Sequence, residues 1–491
     1  MSEKTFETRV QYLKSMVLRY VAEAAFEDAV AETVLDIPKW IIPGTKPTMR
    51  CCVYKERAIL AERVKLAMGG DKANPNVIEV ISIACDECAK GGYQVTDNCR
   101  GCIAHRCEAA CPTKSISFGD SQRARIDNKK CIQCGKCAQV CPYGAIINYR
   151  RPCENACKTG AIGMDEDGAA TINYENCTSC GACVYQCPFG AIMDKSFMLD
   201  TIRFLKEAEA DPEARLVAIV APSVAAQYKN VRPAQVAAAL LKLGFTDVVE
   251  AALGADMTAA HEAPELAEKG TLFSSCCPAF VALVEKKFPE LADKISETPS
   301  PMVMAAMNVK MQLPAAKTVF IGPCTAKKAE VQLEKVRPFV DNAITFEEMD
   351  ALFEAKKIDP AECGTEPYDD ATFYGRNFAQ SGGVTAAVTG ALMEQPEHPD
   401  DRFGILPVVC SGSEECIKAL KKIAYGRPEG NFLEGMACVG GCVNGPVALR
   451  HPGNESFVLL SRHAEEVRGK SITATAAAGA KLKKAGKGEQ D

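Results

Sequence analysis

The chain has 491 residues, 47% of them hydrophobic and 24% charged, and a formal net charge of −6. That length carries about three to four domains with ample material for buried cores, and the charge gives no basis for nucleic-acid binding. The departure from ordinary composition is 26 cysteines, too many and too regularly spaced for a disulfide framework in a chain this long.

The N-terminal stretch "MSEKTFETRVQYLKSM" is charged throughout and has no apolar h-region, so no secretory signal is expected. No run of about 18 apolar residues occurs, so no spanning helix is expected either. A cytoplasmic location follows, and in a reducing compartment dense cysteine usage reads as metal ligation. Residues 1–80 hold only Cys51 and Cys52, and "FETRVQYLKSMVLRYVAEAAFEDAVAETVL" has the period of an amphipathic helix, so a helical N-terminal region is expected.

Residues 85–187 hold sixteen cysteines in repeating units. "CIQCGKCAQVCPYGAI" (131–146) and "CTSCGACVYQCPFGAI" (177–192) both carry C-x2-C-x2-C-x3-C-P, the bacterial ferredoxin run. Three thiolates on a tight loop cap one face of a cubane, and the fourth, after the turn, reaches a neighbouring cluster. "CRGCIAHRCEAACPTKSI" (99–116) is a degenerate copy, and "CENACKTGAI" (153–162) keeps only the second half of the run. With crossed fourth ligands, four sets follow. Cys99, Cys102 and Cys107 join Cys141; Cys131, Cys134 and Cys137 join Cys111; Cys177, Cys180 and Cys183 join Cys157. Cys85 and Cys88 of "CDEC", with Cys153 and Cys187, form the last by exhaustion, where a mononuclear zinc or iron site is the rival reading. Two ferredoxin-like units are expected, at 81–150 and 151–200, the second drawing Cys85 and Cys88 from upstream.

From 201 to 455, strand-like runs such as "RLVAIVAPS" and "KTVFIGPC" alternate with helical stretches such as "PAQVAAALLKLG". The pattern predicts α/β layers with parallel strands, making the whole chain α/β (α+β overall). The extension 456–491 ends in "TATAAAGAKLKKAGKGEQD", which reads as a frayed tail. The cysteines of the α/β part fall in "FSSCCPAF" (273–280), "IGPCTAKKAE" (321–330) and "EGMACVGGCVNGPVAL" (434–449). Cys277, Cys324, Cys438 and Cys442 suffice for one more cubane built from scattered loops, and Gly440, Gly441 and Gly445 let the backbone turn closely around it. An ordinary buried cubane, or a set of apolar core thiols, has the same spacing.

These three segments, in this order, resemble the signature motifs TSCCP, PCxxKxxE and ExMACxxGCxxG of the iron-only (FeFe) hydrogenases, over roughly residues 130–450. The resemblance implies an H-cluster: a 4Fe-4S cubane bridged by one cysteine sulfur to a di-iron unit carrying CO, cyanide and a dithiolate. It implies Cys277, Cys324, Cys438 and Cys442 as cubane ligands with Cys442 as the bridge, and Cys276 as a proton-transfer thiol. Glu262 and Glu265 match a carboxylate relay, with Ser300 of "TPSP" as its third member, so that protons pass Glu265, Glu262, Ser300 and Cys276. Lys327 resembles a lysine that contacts a cyanide ligand, Glu330 orients it, Ala221, Pro222 and Ser223 line the bridgehead, and Met436 packs near the bridging carbonyl.

The implied activity is 2 H⁺ + 2 e⁻ ⇌ H₂, with electrons from a ferredoxin or similar redox protein crossing four additional 4Fe-4S clusters. Maturation proteins would supply the di-iron unit. A hydrogen-sensing protein of the same fold, and a non-enzymatic iron–sulfur assembly factor, are the alternatives; the latter relatives lack the complete ligand and proton-thiol set. Departures from the family pattern are Gly322, where a methionine is usual, "CCPAF" in place of CCPGW, and "NGPVAL" in place of a glycine run. No glycine-rich dinucleotide fingerprint is visible, which argues against direct use of NAD(P).

Overall fold

The computed structural model describes residues 6–88, 91–394 and 404–482. The N-terminal region is helical as expected. Thr8 caps the helix Arg9–Phe26 by accepting a hydrogen bond from the Gln11 backbone N–H, and Leu13, Val17, Leu18 and Val21 form its buried stripe. That stripe does not make a separate domain. It shares one core with the helix Val53–Ala67 and with Val220, Met349 and Leu352 of the α/β part.

Eight short strands follow: β1 (Ile78–Val80), β2 (Gly92–Val95), β3 (Ile116–Phe118), β4 (Ala124–Ile126), β5 (Ile146–Tyr149), β6 (Ile162–Met164), β7 (Ala170–Ile172) and β8 (Ile192–Asp194). They pair antiparallel as β2 with β5, β3 with β4, β6 with β7, and β1 with β8. The pairing reveals a nested order. One ferredoxin-like unit, closed by β2 and β5, is inserted into another that is closed by β1 and β8. The outer unit's own run reads Cys85-x2-Cys88, then the insertion, then Cys153-x3-Cys157. This is the physical reason the second unit lacks its first two cysteines locally.

The α/β part contains β9 (Leu216–Val220), β10 (Asp247–Glu250), β11 (Leu272–Phe273), β12 (Lys317–Gly322), β13 (Asn342–Thr345), β14 (Pro407–Ser411) and β15 (Phe432–Met436). Two parallel sheets result, ordered β10-β9-β12-β13 and β11-β15-β14. All five residues of β9 are buried, as a central parallel strand requires. Asp194, at the end of β8, ties the parts together through Lys14 of the first helix (2.5 Å) and Lys328 of the α/β part (2.7 Å), all three buried.

The expected frayed tail is corrected over its first part. Ile472–Ala478 is a helix with Ile472 buried, and Ala480 is held by Asn308 and Gln312; residues 483–491 lie outside the described residues. Arg376, fully buried, ties this extension down by donating to Glu250 (2.7 and 2.9 Å) and to the carbonyl of His463 (2.7 Å). Among the described residues no helix is long and apolar enough to cross a membrane.

Candidate active site

The carboxyl ends of both sheets converge, the usual place for a ligand in open α/β architecture. The chain leaving β9 supplies Ala221 and Pro222, β11 leads to Cys276 and Cys277, β12 to Pro323 and Cys324, and β15 to Cys438 and Cys442. Pro278 starts a helix directly after Cys277, and Cys324 caps the helix Thr325–Glu330. Gly440 and Gly441, at φ 82° and 96°, supply the turn between the last two cysteines.

Together these residues line a cavity of about 80 Å³, walled also by Met436, Phe320, Phe378, Met302 and Lys327. Cys276, Cys277, Cys324, Cys438 and Cys442 all line it, so the partial exposure of these thiols faces the cavity. Burial, and then the neighbouring Cys277, push the thiols of Cys324 and Cys442 up to about 12. Burial first, then the Glu262 carboxylate, raise Cys276 well above the ordinary range, and burial followed by the facing thiols does the same to Cys438. Such crowded buried thiols become thiolates when a cation shares their charge.

Among the described residues, Lys327 is the single charged side chain on the lining. It donates to Glu330 at 2.7 Å and to Ser300 at 2.8 Å, with the ring of Phe320 6.0 Å away. Burial alone would lower its pKa, but the Glu330 carboxylate more than offsets this and keeps the ammonium charged. Gly322 has a structural reason: a Cβ there would stand 2.7 Å from the Phe320 ring. Phe320 therefore fills space that a side chain at 322 would need. Neither Phe320 nor Phe378 was anticipated from the sequence.

Of the bridgehead stretch, Ala221 and Pro222 line the cavity; Ser223 is a correction, since it is fully buried and absent from the lining. Its hydroxyl has no hydrogen-bond partner among the described residues.

The relay residues lie on the helix Ala251–Lys269, as their spacing implies. Glu265 accepts hydrogen bonds from Ser296 (2.6 Å), Thr298 (3.2 Å) and, at the surface, Lys269 (2.9 Å). Glu262 is fully buried and accepts from the N–H (3.1 Å) and hydroxyl (3.2 Å) of Ser275, the residue before Cys276. Burial pushes its carboxyl up to about 7, against the Ser275 hydrogen bonds and with Ser296 also near.

Ser300 is therefore corrected as the third relay member. It binds Lys327, while Ser296 stands between the two carboxylates and Glu262 neighbours Cys276. The signal that would have found Ser296 is its place in the loop that runs beside β11, bridged at Phe273 and Ile295.

Several accessory cysteines lie near one another in the structure. Cys111, Cys131, Cys134 and Cys137 line one small cavity. Burial, and then nearby Cys102 and Cys141, raise Cys107. Cys177, Cys180 and Cys157 surround Cys183. Cys153 is pushed up to about 11 by burial and by Cys187, Cys85 and Cys88. Among the described residues no three His, Cys, Asp or Glu side chains are arranged to hold a single metal ion. Cys180 also lines the main cavity, so the group it belongs to abuts that site directly.

The fold and these sites define an iron–sulfur protein: ferredoxin-like units set against a thiol-lined α/β cavity. Residues 98–145 and 123–188 match 4Fe-4S dicluster domain models. Residues 214–446 match the family model described as iron only hydrogenase large subunit, C-terminal domain. Iron hydrogenase 1 of Clostridium pasteurianum is 28% identical over 49% of this chain and 51% of its own length. The NADP-reducing hydrogenase subunit HndD of Solidesulfovibrio fructosivorans is 27% identical over 66% of this chain and 57% of its own. The chain thus spans about half the length of these two relatives. A cytosolic Fe-S cluster assembly factor NAR1, of Meyerozyma guilliermondii, is 28% identical over 24% of each chain. A solved structure of HydA1 from Chlamydomonas reinhardtii is similar at TM-score 0.45 and 21% identity, over 55% of this chain and 90% of that one. At that score the likeness adds no weight to the sequence matches.

Proposed function

We propose that the chain is an FeFe hydrogenase catalysing the reversible reduction of protons to H₂. The observation that carries this reading is the cavity at the sheet ends, where four thiols from three segments meet a fifth, Cys276, and a buried ammonium, Lys327. A cubane alone needs neither of the last two. The residues fit an H-cluster: an apolar enclosure, four thiols for a cubane held by Cys277, Cys324, Cys438 and Cys442, and a buried cation for an anionic ligand. When bound, the cluster supplies the metal chemistry of H₂ formation and cleavage, with Cys442 as bridging thiolate.

The chain's own residues hold and move the protons. Glu265 collects a proton near the surface and passes it by the Ser296 hydroxyl to Glu262, whose carboxyl burial keeps close to half-protonated near neutrality. From Glu262 the proton passes on to the neighbouring Cys276 thiol at the cavity wall. Lys327, fixed by Glu330 and Ser300, presents a permanent positive charge, and Ala221, Pro222 and Met436 exclude water. Electrons from a ferredoxin-type carrier in the cytoplasm would enter the inserted unit, cross to the outer unit, which spans 151–200 and draws Cys85 and Cys88 from upstream, and reach the catalytic domain at 201–455 beside the cubane that Cys177, Cys180, Cys183 and Cys157 would hold. Maturation proteins install the di-iron unit.

Infrared spectroscopy of the chain matured with a di-iron precursor tests this reading. Carbonyl and cyanide bands that respond to H₂ are expected. Their absence after competent maturation eliminates both the hydrogenase and the hydrogen-sensor readings and leaves the assembly-factor one.

A further inference from the structure

Three arginines are buried among the described residues: Arg63, Arg151 and Arg376. Arg376 has a carboxylate, Glu250. The other two both lie against the cysteines of a single group, Cys85, Cys88, Cys153 and Cys187.

Arg63 is 3% exposed and has no salt bridge to any described residue. Its Nη2 donates to the carbonyls of Phe189 (3.0 Å) and Gly190 (3.2 Å), in the loop just after Cys187, and its Nε has no partner. The charged neighbour that favours the guanidinium is Cys187; the neighbour that opposes it is Arg50. Arg151 donates from Nη1 to the sulfur of Cys85 at 3.8 Å and from Nη2 to the carbonyl of Cys88 at 3.3 Å. A guanidinium stays charged in proteins, and a buried charge without a counter-ion is strongly destabilising. For Arg63, an anionic cluster on these four thiolates is the counter-ion the position calls for, while Arg151 is also held by the Gly168 carbonyl (2.7 Å) and the Met164 sulfur (2.9 Å). Among the described residues, no other accessory group has a buried arginine against it.

We propose that Arg63, assisted by Arg151, holds the cluster of Cys85, Cys88, Cys153 and Cys187 at the highest reduction potential of the four accessory clusters, making it the place where the first electron rests. This deepens the hydrogenase reading and rests on its assignment of a 4Fe-4S cluster to these four thiols. On reduction the cluster gains one electron and one unit of negative charge, drawn from a reduced cluster in the inserted unit, which is oxidised by one; no bond or proton is exchanged. Adjacent positive charge and hydrogen bonds to sulfur favour the more negative state. The placement suits storage: Cys153 neighbours Cys183 of the group that abuts the main cavity, while Cys88 neighbours Tyr149 at the end of the inserted unit. One electron can wait there until a second completes the pair.

The test is a redox titration of the full-length, iron–sulfur-loaded protein lacking the di-iron unit, followed by electron paramagnetic resonance. One accessory signal is expected to appear at a more positive potential than the rest. In Arg63→Gln that signal alone shifts to more negative potential, and Arg63→Lys, which keeps the charge, restores most of the difference. If Arg63→Gln loses iron, Arg151→Gln reads the same potential. A first-reduced signal that stays in place in a fully loaded Arg63→Gln or Arg151→Gln protein overturns the proposal, as does a shift confined to another cluster. Iron content unchanged by Cys85→Ser in otherwise wild-type protein instead removes the cluster assignment on which the proposal rests.

Discussion

Thr325 donates its hydroxyl to the backbone carbonyl of Ser179 at 2.6 Å. The bond joins the residue after one cavity cysteine, Cys324, to the loop between Cys177 and Cys180. The same junction requires Gly181, at φ 77°, where a Cβ would stand 2.5 Å from Pro446 and 2.6 Å from the Thr325 hydroxyl. Lys286 reinforces it by donating to the carbonyls of Tyr174 and Cys177. Gly181→Ala combines positive φ with a clash and is expected to cost about 1–3 kcal/mol. Thermal denaturation of the cluster-loaded chain checks this, and an unchanged midpoint would show that the junction yields freely.

Cys276 lines the cavity beside the four proposed ligands without being needed to complete a cubane. Cys276→Ala is expected to keep full iron content while H₂ turnover falls by about a hundredfold or more. Metal analysis beside an activity assay separates the two effects, and full turnover would remove the thiol from the proton route.

The two candidate serines are distinguishable. Ser296→Ala, which removes the hydroxyl between the carboxylates, is expected to slow turnover by about tenfold or more and to leave the infrared bands of the matured site in place. Ser300→Ala acts on Lys327 and is expected to shift the cyanide bands. The opposite pattern would restore Ser300 to the relay.

Glu262 makes stability depend on pH. Its folded pKa, about 7, lies above the ordinary 4.5, so the folded chain binds more protons than the unfolded chain between those values. Stability therefore falls as pH rises from about 4.5 to about 7 and levels off above. The full effect is about 3 kcal/mol. Glu262→Gln is expected to flatten that part of a plot of thermal midpoint against pH, although Asp256, also raised to about 7 by burial, leaves a residual slope of the same sign.

Arg376→Met leaves Glu250 buried without its cation and is expected to cost about 3–5 kcal/mol. Chemical denaturation measures it. A loss under about 1 kcal/mol would mean that His463, 3.7 Å from Glu250, takes over the pairing.

Much of this was legible in the sequence because thiolate ligation is local. C-x2-C-x2-C-x3-C-P fixes three ligands on one loop, so the cysteine groups could be written down before any fold was known, and Cys85 and Cys88 fell into place by exhaustion. The parallel sheets were readable from continuous apolar runs such as Leu216–Val220. What was not readable depended on contacts between distant segments. Ser296 and Ser300 are both hydroxyls near the same helix start, and only the packing of their loop beside β11 decides which one meets Glu265. Phe320 folds over Gly322 because the ring needs that space, which strand alternation alone does not reveal. The alanine-rich tail lacks a periodic stripe, yet Ile472 and the bonds to Asn308 dock it.

The nesting of one ferredoxin-like unit within another imposes a schedule on biosynthesis. Cys85 and Cys88 leave the ribosome first, yet their partners Cys153 and Cys187 follow only after the whole inserted unit has been translated. The inner unit has all eight of its thiols before the outer one is complete, so iron delivered during translation meets the guest first.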